Sequence, residues 1–326
     1  MATMATELYG KQPAEVIALL NRRRQANFVA GQDQDGARVA LIVEGGAMRG
    51  AISSGTVDAL YQLGYGTCFE EVWGNSAGAL NGAYFVSGQI TLGTTVYYEN
   101  ATDPTFINLW NWPDPLAVEW LINNWIAAGK PLDIAAVMRS STDLYIAATN
   151  ADTGEPRFFS NRENRPEIMM PALQASCSVP LFVTKKVVID GAPYNDGLVQ
   201  AGIPLGVPAR RCTHIVAALT RSVGYRKKYT KLIGFLENLV LRGYSKEYLR
   251  RYHARHIGYN AALDALLSGE YPPRSLIIAP SPSETVIKNG ENRPGPLKRA
   301  VGESMARVER IFGALPGTVR HYRDAG

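Results

Sequence analysis

Apolar residues cluster along the chain in short runs that stop at glycine or at polar turn residues. Arg38 to Val43, within "RVALIVEGG", is a continuous β-compatible run, the pattern of a strand buried on both faces of a parallel sheet. Phe69 to Trp73 is a second short strand that ends at Gly74. "THIVAALTR" and "RSLIIAPS" read as further core strands. "DLYIAATNAD" and "EPRFFS" read as strands too, the second as a hairpin partner of the first. Between them lie helix-compatible stretches: Ala51 to Leu63, closed by Gly64, and Ala77 to Val86. Lys227 to Leu267 is helical and basic, and Leu297 to Leu315 predicts an amphipathic helix packed on the sheet. Strand and helix in alternation predict an α/β fold, a mainly parallel sheet with helices on both faces.

The first 37 residues carry a different pattern. A short helix around Ala14 to Phe28 is followed by the polar "GQDQDG", so residues 1–37 read as a peripheral helix and linker and 38–326 as the main domain. The chain has 326 residues, 46% of them hydrophobic, enough for a large core. A formal charge of +5 and a pI near 9.0 suit an anionic membrane surface or nucleic acid and demand neither. Cys68, Cys177 and Cys212 are scattered and lack zinc-site spacing, which points to a reducing, cytoplasmic setting without a structural metal. Val72 to Tyr98 bears no charge, yet its Asn, Ser, Gln and Gly content favours a buried strand and helix over a membrane span.

Two glycine-containing turns carry the candidate chemistry. In "GNSAG", Ser76 stands between Gly74 and Gly78, after a strand and before a helix. The glycines allow a sharp turn that leaves the serine hydroxyl free, with a helix N-terminus directed at it. In "VEGGAMRG", Gly45, Gly46 and Ala47 follow the first strand and Arg49 and Gly50 open a helix. Such a loop can serve as an oxyanion hole, as a pyrophosphate cradle of the Gly-x-Gly-x-x-Gly kind, or as a plain turn. The oxyanion reading is preferred because consecutive parallel strands usually neighbour each other, so both turns open at one sheet edge. Arg49 can brace this loop or reach a phosphate, and bracing is the simpler role.

A serine nucleophile needs a base. His214 lies inside an apolar strand, His253 and His256 in the basic helical region, and His321 near the C-terminus, none in a loop suited to catalysis. Carboxylates are better placed in "KKVVIDGAPYNDGLVQAGIP". "VVID-GA-PYND" predicts a hairpin with Asp190-Gly191 as its turn. Asp196-Gly197 then follows the returning strand, where an aspartate can face the sheet edge.

"EGGAMRG", "GNSAG" and the Asp-Gly pair, in this order, resemble the patatin-like phospholipases. "ASCSVPLFV" is similar to the segment before the family's aspartate, and "LTRSVGYRKK" and "LIIAPS" are similar to downstream segments of a bacterial subgroup, so the resemblance spans roughly residues 38–310. It implies a three-layer α/β/α sandwich and acyl-ester hydrolysis of a phospholipid or lysophospholipid by a Ser–Asp dyad, with no cofactor and no nucleic-acid partner. It maps the nucleophile to Ser76, the base to Asp196 and the oxyanion donors to Gly45, Gly46 and Ala47. Two positions depart from the family pattern: Ala47 replaces a third glycine, and Leu198 follows Asp-Gly where a small residue is usual. Asp190-Gly191-Ala192 fits that short pattern better, so Asp190 is the rival base. The departures also keep open a catalytically weak, lipid-binding member, and a Rossmann-type nucleotide-binding protein is the remaining alternative.

The segment "NLWNWPDPLAVEWLINNWI" puts Leu116, Trp120 and Leu121 on one helical face with Trp125 nearby. It reads either as an interfacial lid or, more ordinarily, as a helix packed over the site. Together with ten Lys and Arg against two Glu between Arg221 and His256, it permits a protein held peripherally at an anionic membrane.

Overall fold

Strand β1 (Val39–Val43) is buried along its whole length and pairs in parallel on both sides. Its residues alternate between two apolar layers, Val39, Leu41 and Val43 in one and Ala40 and Ile42 in the other. This is why the sequence shows an unbroken hydrophobic run there. The computed structural model describes residues 8–32, 34–108, 110–111, 114–197, 202–268, 273–314 and 318–319.

In chain order the named elements are α1 (Pro13–Gln25), β1, α2 (Gly50–Leu60), β2 (Glu71–Asn75), α3 (Ala77–Val86), α4 (Ile90–Glu99), α5 (Val118–Leu121), α6 (Ile134–Arg139), β3 (Asp143–Asn150), β4 (Pro156–Ser160), α7 (Pro166–Cys177), β5 (Val187–Ile189), β6 (Ala192–Asp196), α8 (Pro208–Arg211), β7 (His214–Ala218), α9 (Lys231–Val240), α10 (Lys246–Ser268), β8 (Arg274–Ile278) and α11 (Pro294–Ile311). The central sheet joins β3, β2, β1, β7 and β8 in parallel, and β4, β5 and β6 add antiparallel pairs at the β3 side. Helices cover both faces. One layer holds α2, α3, α4, α7 and α11, and α10 lies on the other through Tyr259, Leu263 and Leu266. The uncharged stretch from Val72 to Tyr98 is taken up by β2, α3 and α4, and no helix of the described residues is long and apolar enough to cross a membrane.

Several element ends differ from the sequence pattern. The helix expected to reach Leu63 leaves α-geometry after Leu60 and widens into a π-type turn, Tyr61–Tyr65, where Gly64 has φ 87°. The C-terminal amphipathic helix shares the buried cluster of one sheet face and packs closely on α2: a Cβ on Gly55 would sit 2.7 Å from the Val301 carbonyl oxygen. Near the N-terminus, Val16, Leu19 and Leu20 of α1 enter the same buried cluster as β1 and α2. Arg23 on this helix is buried, held by Asp35 and Glu70, and its charge is the more firmly kept because both carboxylates oppose the cost of burial.

Candidate active site

Ser76 occupies the turn from β2 into α3 with φ 56° and ψ −131°. L-residues rarely adopt this conformation, and holding one there costs on the order of 1–3 kcal/mol. The flanking glycines make the turn sterically feasible. A Cβ on Gly74 would lie 2.5 Å from the Gly78 carbonyl oxygen, and one on Gly78 would lie 2.1 Å from the Val43 carbonyl oxygen. Both obstacles are backbone, which cannot yield as a flexible side chain can. Gly78→Ala is therefore expected to destabilise the fold by at least about 2 kcal/mol, and a urea-unfolding midpoint equal to wild type would contradict the packing described here.

The loop after β1 lies directly against this turn. A Cβ on Gly45 would meet the Asn75 carbonyl oxygen at 2.2 Å and the Ser76 Cβ at 3.0 Å. Gly46 has φ 144°, and the Arg49 guanidinium lies over it, where a Cβ would sit 2.7 Å from one guanidinium nitrogen. Ala47 takes φ 50°, a conformation in which the third glycine of the family pattern would be less strained. At the helix start, a Cβ on Gly50 would lie 2.7 Å from Ala77 Cβ, bringing the two turns into contact. Behind them runs a buried polar network. Asn81 Nδ2 donates to the Gly50 carbonyl oxygen at 3.0 Å, the Tyr97 hydroxyl donates to Asn81 Oδ1 at 2.9 Å, and Ser53 Oγ donates to the Glu44 carbonyl oxygen at 2.8 Å. These bonds fix α3 against the loop without consuming the face that opens beside Ser76.

Asp196 reaches the same place by strand register. Strand β3 carries β4 along one edge, pairing Tyr145 to Thr149. Its other edge is shared. Strand β2 occupies it up to Asn75 opposite Ala147, and β6, running the other way, ends there with Asp196 opposite Ala148. The two strands thus meet end to end, and Ser76 follows Asn75 at the level of Asp196. Asp196 is 1% exposed, and its backbone is tied down: its N–H donates to the Ser178 carbonyl oxygen at 3.0 Å, and its carbonyl accepts from Thr149 Oγ1 at 2.9 Å. Gly197 is required here, because a Cβ would lie 2.6 Å from the Ala147 carbonyl oxygen.

Ser176 of α7 is a site residue that the sequence reading did not single out. Its Oγ accepts from the Ser76 N–H at 2.9 Å and donates to the Ala147 carbonyl oxygen at 2.6 Å, coupling the strained turn to β3. Only its place in "ASCSVPLFV" gave a signal.

The rival residues lie elsewhere. Asp190 is the hairpin turn residue between β5 and β6, with φ 48°, its side chain 65% exposed and paired with Arg165 at 2.8 Å. His214 begins β7, opposite Val39, at the end of the sheet away from Ser76, and burial pulls its pKa down. His253 and His256 are engaged on α10 with Asn238 and the His253 carbonyl oxygen. Leu198, Trp112 and His321 lie outside the described residues.

Two cavities meet at Ser76. The larger, about 350 Å³, is lined by Glu44, Gly45, Gly46, Ala47, Arg49, Asn75, Ser76 and Asp196, and also by Arg221, Lys227 and Arg255. The smaller, about 60 Å³, is apolar and runs from Ser76 between Leu80, Tyr84, Val96, Phe106, Leu121 and Ile126. The sequence profile for patatin-like phospholipase matches residues 41–209, just over half of the chain. The chain belongs to the patatin-like phospholipase family. Both glycine turns and the Asp196 strand fall within the matched stretch. The uncharacterized protein YjjU of Escherichia coli K12 is 26% identical over 205 residues, covering 59% of this chain, which spans only about half, 54%, of that relative.

The tryptophan segment lends Leu116, Val118, Leu121 and Ile126 to the lining of the apolar cavity of this patatin-like site. Leu116 lies in an extended bridge to Ile107, so the helix starts later than expected, at Val118, and widens into a π-type turn at Ile122–Gly129. Trp120 and Trp125 are half-buried against the core and meet edge to face with ring centroids 6.1 Å apart. Trp110, by contrast, is 96% exposed.

Proposed function

We propose that the chain is a serine acyl-ester hydrolase of the phospholipase A or lysophospholipase type. Ser76 is its nucleophile, Asp196 its base, and the backbone of Gly45, Gly46 and Ala47 its oxyanion hole. The observation that carries this reading is the end-to-end meeting of β2 and β6, which gives a strained, partly exposed serine and a buried aspartate one cavity. Ser76 Oγ attacks the ester carbonyl carbon as Asp196 accepts its proton. Negative charge develops on the carbonyl oxygen, where the loop N–H groups and the N-terminus of α3 oppose it. The intermediate collapses, Asp196 returns the proton to the departing alkoxide, and an acyl-serine remains. Water, losing a proton to Asp196, releases the fatty acid and restores Ser76. The apolar cavity suits the acyl chain. Covalent labelling of Ser76 by a fluorophosphonate, blocked by prior incubation with a lysophospholipid, tests the assignment; a well-folded protein that neither labels nor hydrolyses acyl esters would overturn it.

The substrate side points to a peripheral encounter with anionic membrane. Trp110 is exposed in the segment between Ile107 and Leu116, which form a bridge and line the larger cavity together with Phe182. An exposed tryptophan gains from insertion among headgroups, and the chain's net positive charge of +5 adds attraction to anionic lipid. Trp110→Ala is expected to weaken sedimentation with anionic vesicles at least about threefold, whereas Trp120→Ala, being packed on the core, should leave it near wild type. Raising salt toward 1 M, where the Debye length shrinks to about 3 Å, should release the protein. Binding that ignores both salt and Trp110 would count against membrane contact at this face.

A further inference from the structure

We infer that the larger cavity is a subsite for a phosphomonoester, so that the enzyme selects acylglycerols bearing a terminal phosphate over those bearing phosphocholine. The inference rests on the hydrolase reading above and extends it to the headgroup. Its residues, Arg221, Lys227 and Arg255, lie beyond the stretch matched by the family profile, on the loop after β7 and on α10.

The charges in this cavity are unbalanced. Arg255 is matched by Glu237, which leaves Arg49, Arg221 and Lys227 facing Glu44 and Asp196. Among the described residues no carboxylate lies within ion-pair distance of Arg221 or Lys227, and Arg49 Nε is buried with no acceptor. Burial and the neighbouring Arg221 make the Arg49 charge costlier to hold. Burial, helped by Arg255 and Arg49 against Glu44 and Asp196, pulls the Lys227 amine down to about 8. Cations in excess of the carboxylates that share their cavity are stabilised by a ligand that brings negative charge. A dianionic phosphate supplies that charge together with several acceptor oxygens.

The aromatic lining argues against choline. A quaternary ammonium is held by open tyrosine or tryptophan faces. Here the enzyme's own cations sit on those rings: Arg221 lies 4.0 Å from the Tyr225 centroid, Arg255 4.0 Å from Tyr252, and Lys227 5.4 Å from Tyr259. A trimethylammonium group entering this cavity meets positive charge, not a free face. With the scissile acyl chain in the apolar cavity and its carbonyl at Ser76, the glycerol phosphate extends toward these cations.

The experiment compares 1-acylglycerol 3-phosphate, its phosphocholine counterpart and the neutral 1-acylglycerol, all with one acyl chain and all dilute in an excess of neutral detergent micelles. Wild type should favour the phosphate over phosphocholine at least tenfold in kcat/KM. Arg221→Gln with Lys227→Gln should cut that ratio at least fivefold in a protein with an unchanged unfolding midpoint; if the double variant folds poorly, Arg221→Gln alone should cut it at least twofold. Glycerol 3-phosphate should compete with the neutral ester, more weakly in the variants. Equal hydrolysis of phosphate and phosphocholine substrates would overturn the headgroup inference while leaving the hydrolase intact, and absence of hydrolysis of all three would overturn the hydrolase reading. Competition by inorganic phosphate without a lipid preference would also overturn the headgroup inference, by assigning the cations to a soluble anion.

Discussion

Ser76→Ala is expected to abolish ester hydrolysis, lowering kcat/KM by at least about ten-thousand-fold, and to remove all fluorophosphonate labelling. Among the described residues lining the two cavities, Ser76 carries the one aliphatic hydroxyl. The candidate base and the glycine loop line the same cavity as Ser76, which sits in the turn at φ 56°. The fold should survive, because Ser76 is anchored through its backbone: its N–H donates to Ser176 Oγ, and its carbonyl accepts from Ala79 N–H at 2.8 Å. Alanine keeps the same strained dihedral, so its unfolding midpoint should stay close to wild type. Ser76→Gly releases that strain and should be the more stable of the two, by about 1 kcal/mol after the greater chain entropy of glycine is counted. Undiminished labelling of the alanine variant would remove Ser76 from the nucleophile's role.

Asp196→Asn carries the second large effect, an expected loss of about a thousand-fold or more in kcat. The amide is nearly isosteric with the carboxylate but is far less basic and cannot take the serine proton. The hydrogen bonds that position residue 196, from Ser178 and Thr149, use its backbone and persist in the variant. Asp190→Asn should leave turnover unaltered and remove only an exposed pair with Arg165, worth less than about 1 kcal/mol. Alanine at His214, His253 or His256 should likewise leave turnover standing. The reverse outcome, a folded Asp190 variant without activity beside an active Asp196 variant, would transfer the base to the hairpin turn.

Local chemistry made much of this site legible in the sequence. Glycines at 74 and 78 around a serine, between an apolar strand and a proline-free helical run, led to a helix at Ala77–Val86 that the structure reproduces. Asp190-Gly191 was legible as a hairpin turn because both residues need positive φ, and they have 48° and 81°. The tryptophan segment was legible as an apolar helical face, either a lid or a helix packed over the site. Its period did not reveal that Leu116 stays extended, that Trp120 and Trp125 pack on one another, or that Trp110 alone of the three is almost fully exposed. Sidedness depends on which surface the segment meets, and that surface belongs to other parts of the chain.

The sequence by itself determined the strands and helices, the parallel character of the core, and the turns that only glycine can make, because these follow from steric limits and from the spacing of apolar residues over a few positions. The tertiary structure alone decided that β2 and β6 share one edge of β3. Nothing local in either strand encodes that register; it is selected when β4 takes the opposite edge and the core closes around β3. The same holds for the cations beside Ser76. Arg221, Lys227 and Arg255 belong to a basic stretch that in sequence permits contact with an anionic membrane, and they line a cavity only because α10 folds back across the sheet. Residues separated by more than a hundred positions come together through the burial of apolar surface across the whole domain, a sum that no short window of sequence contains.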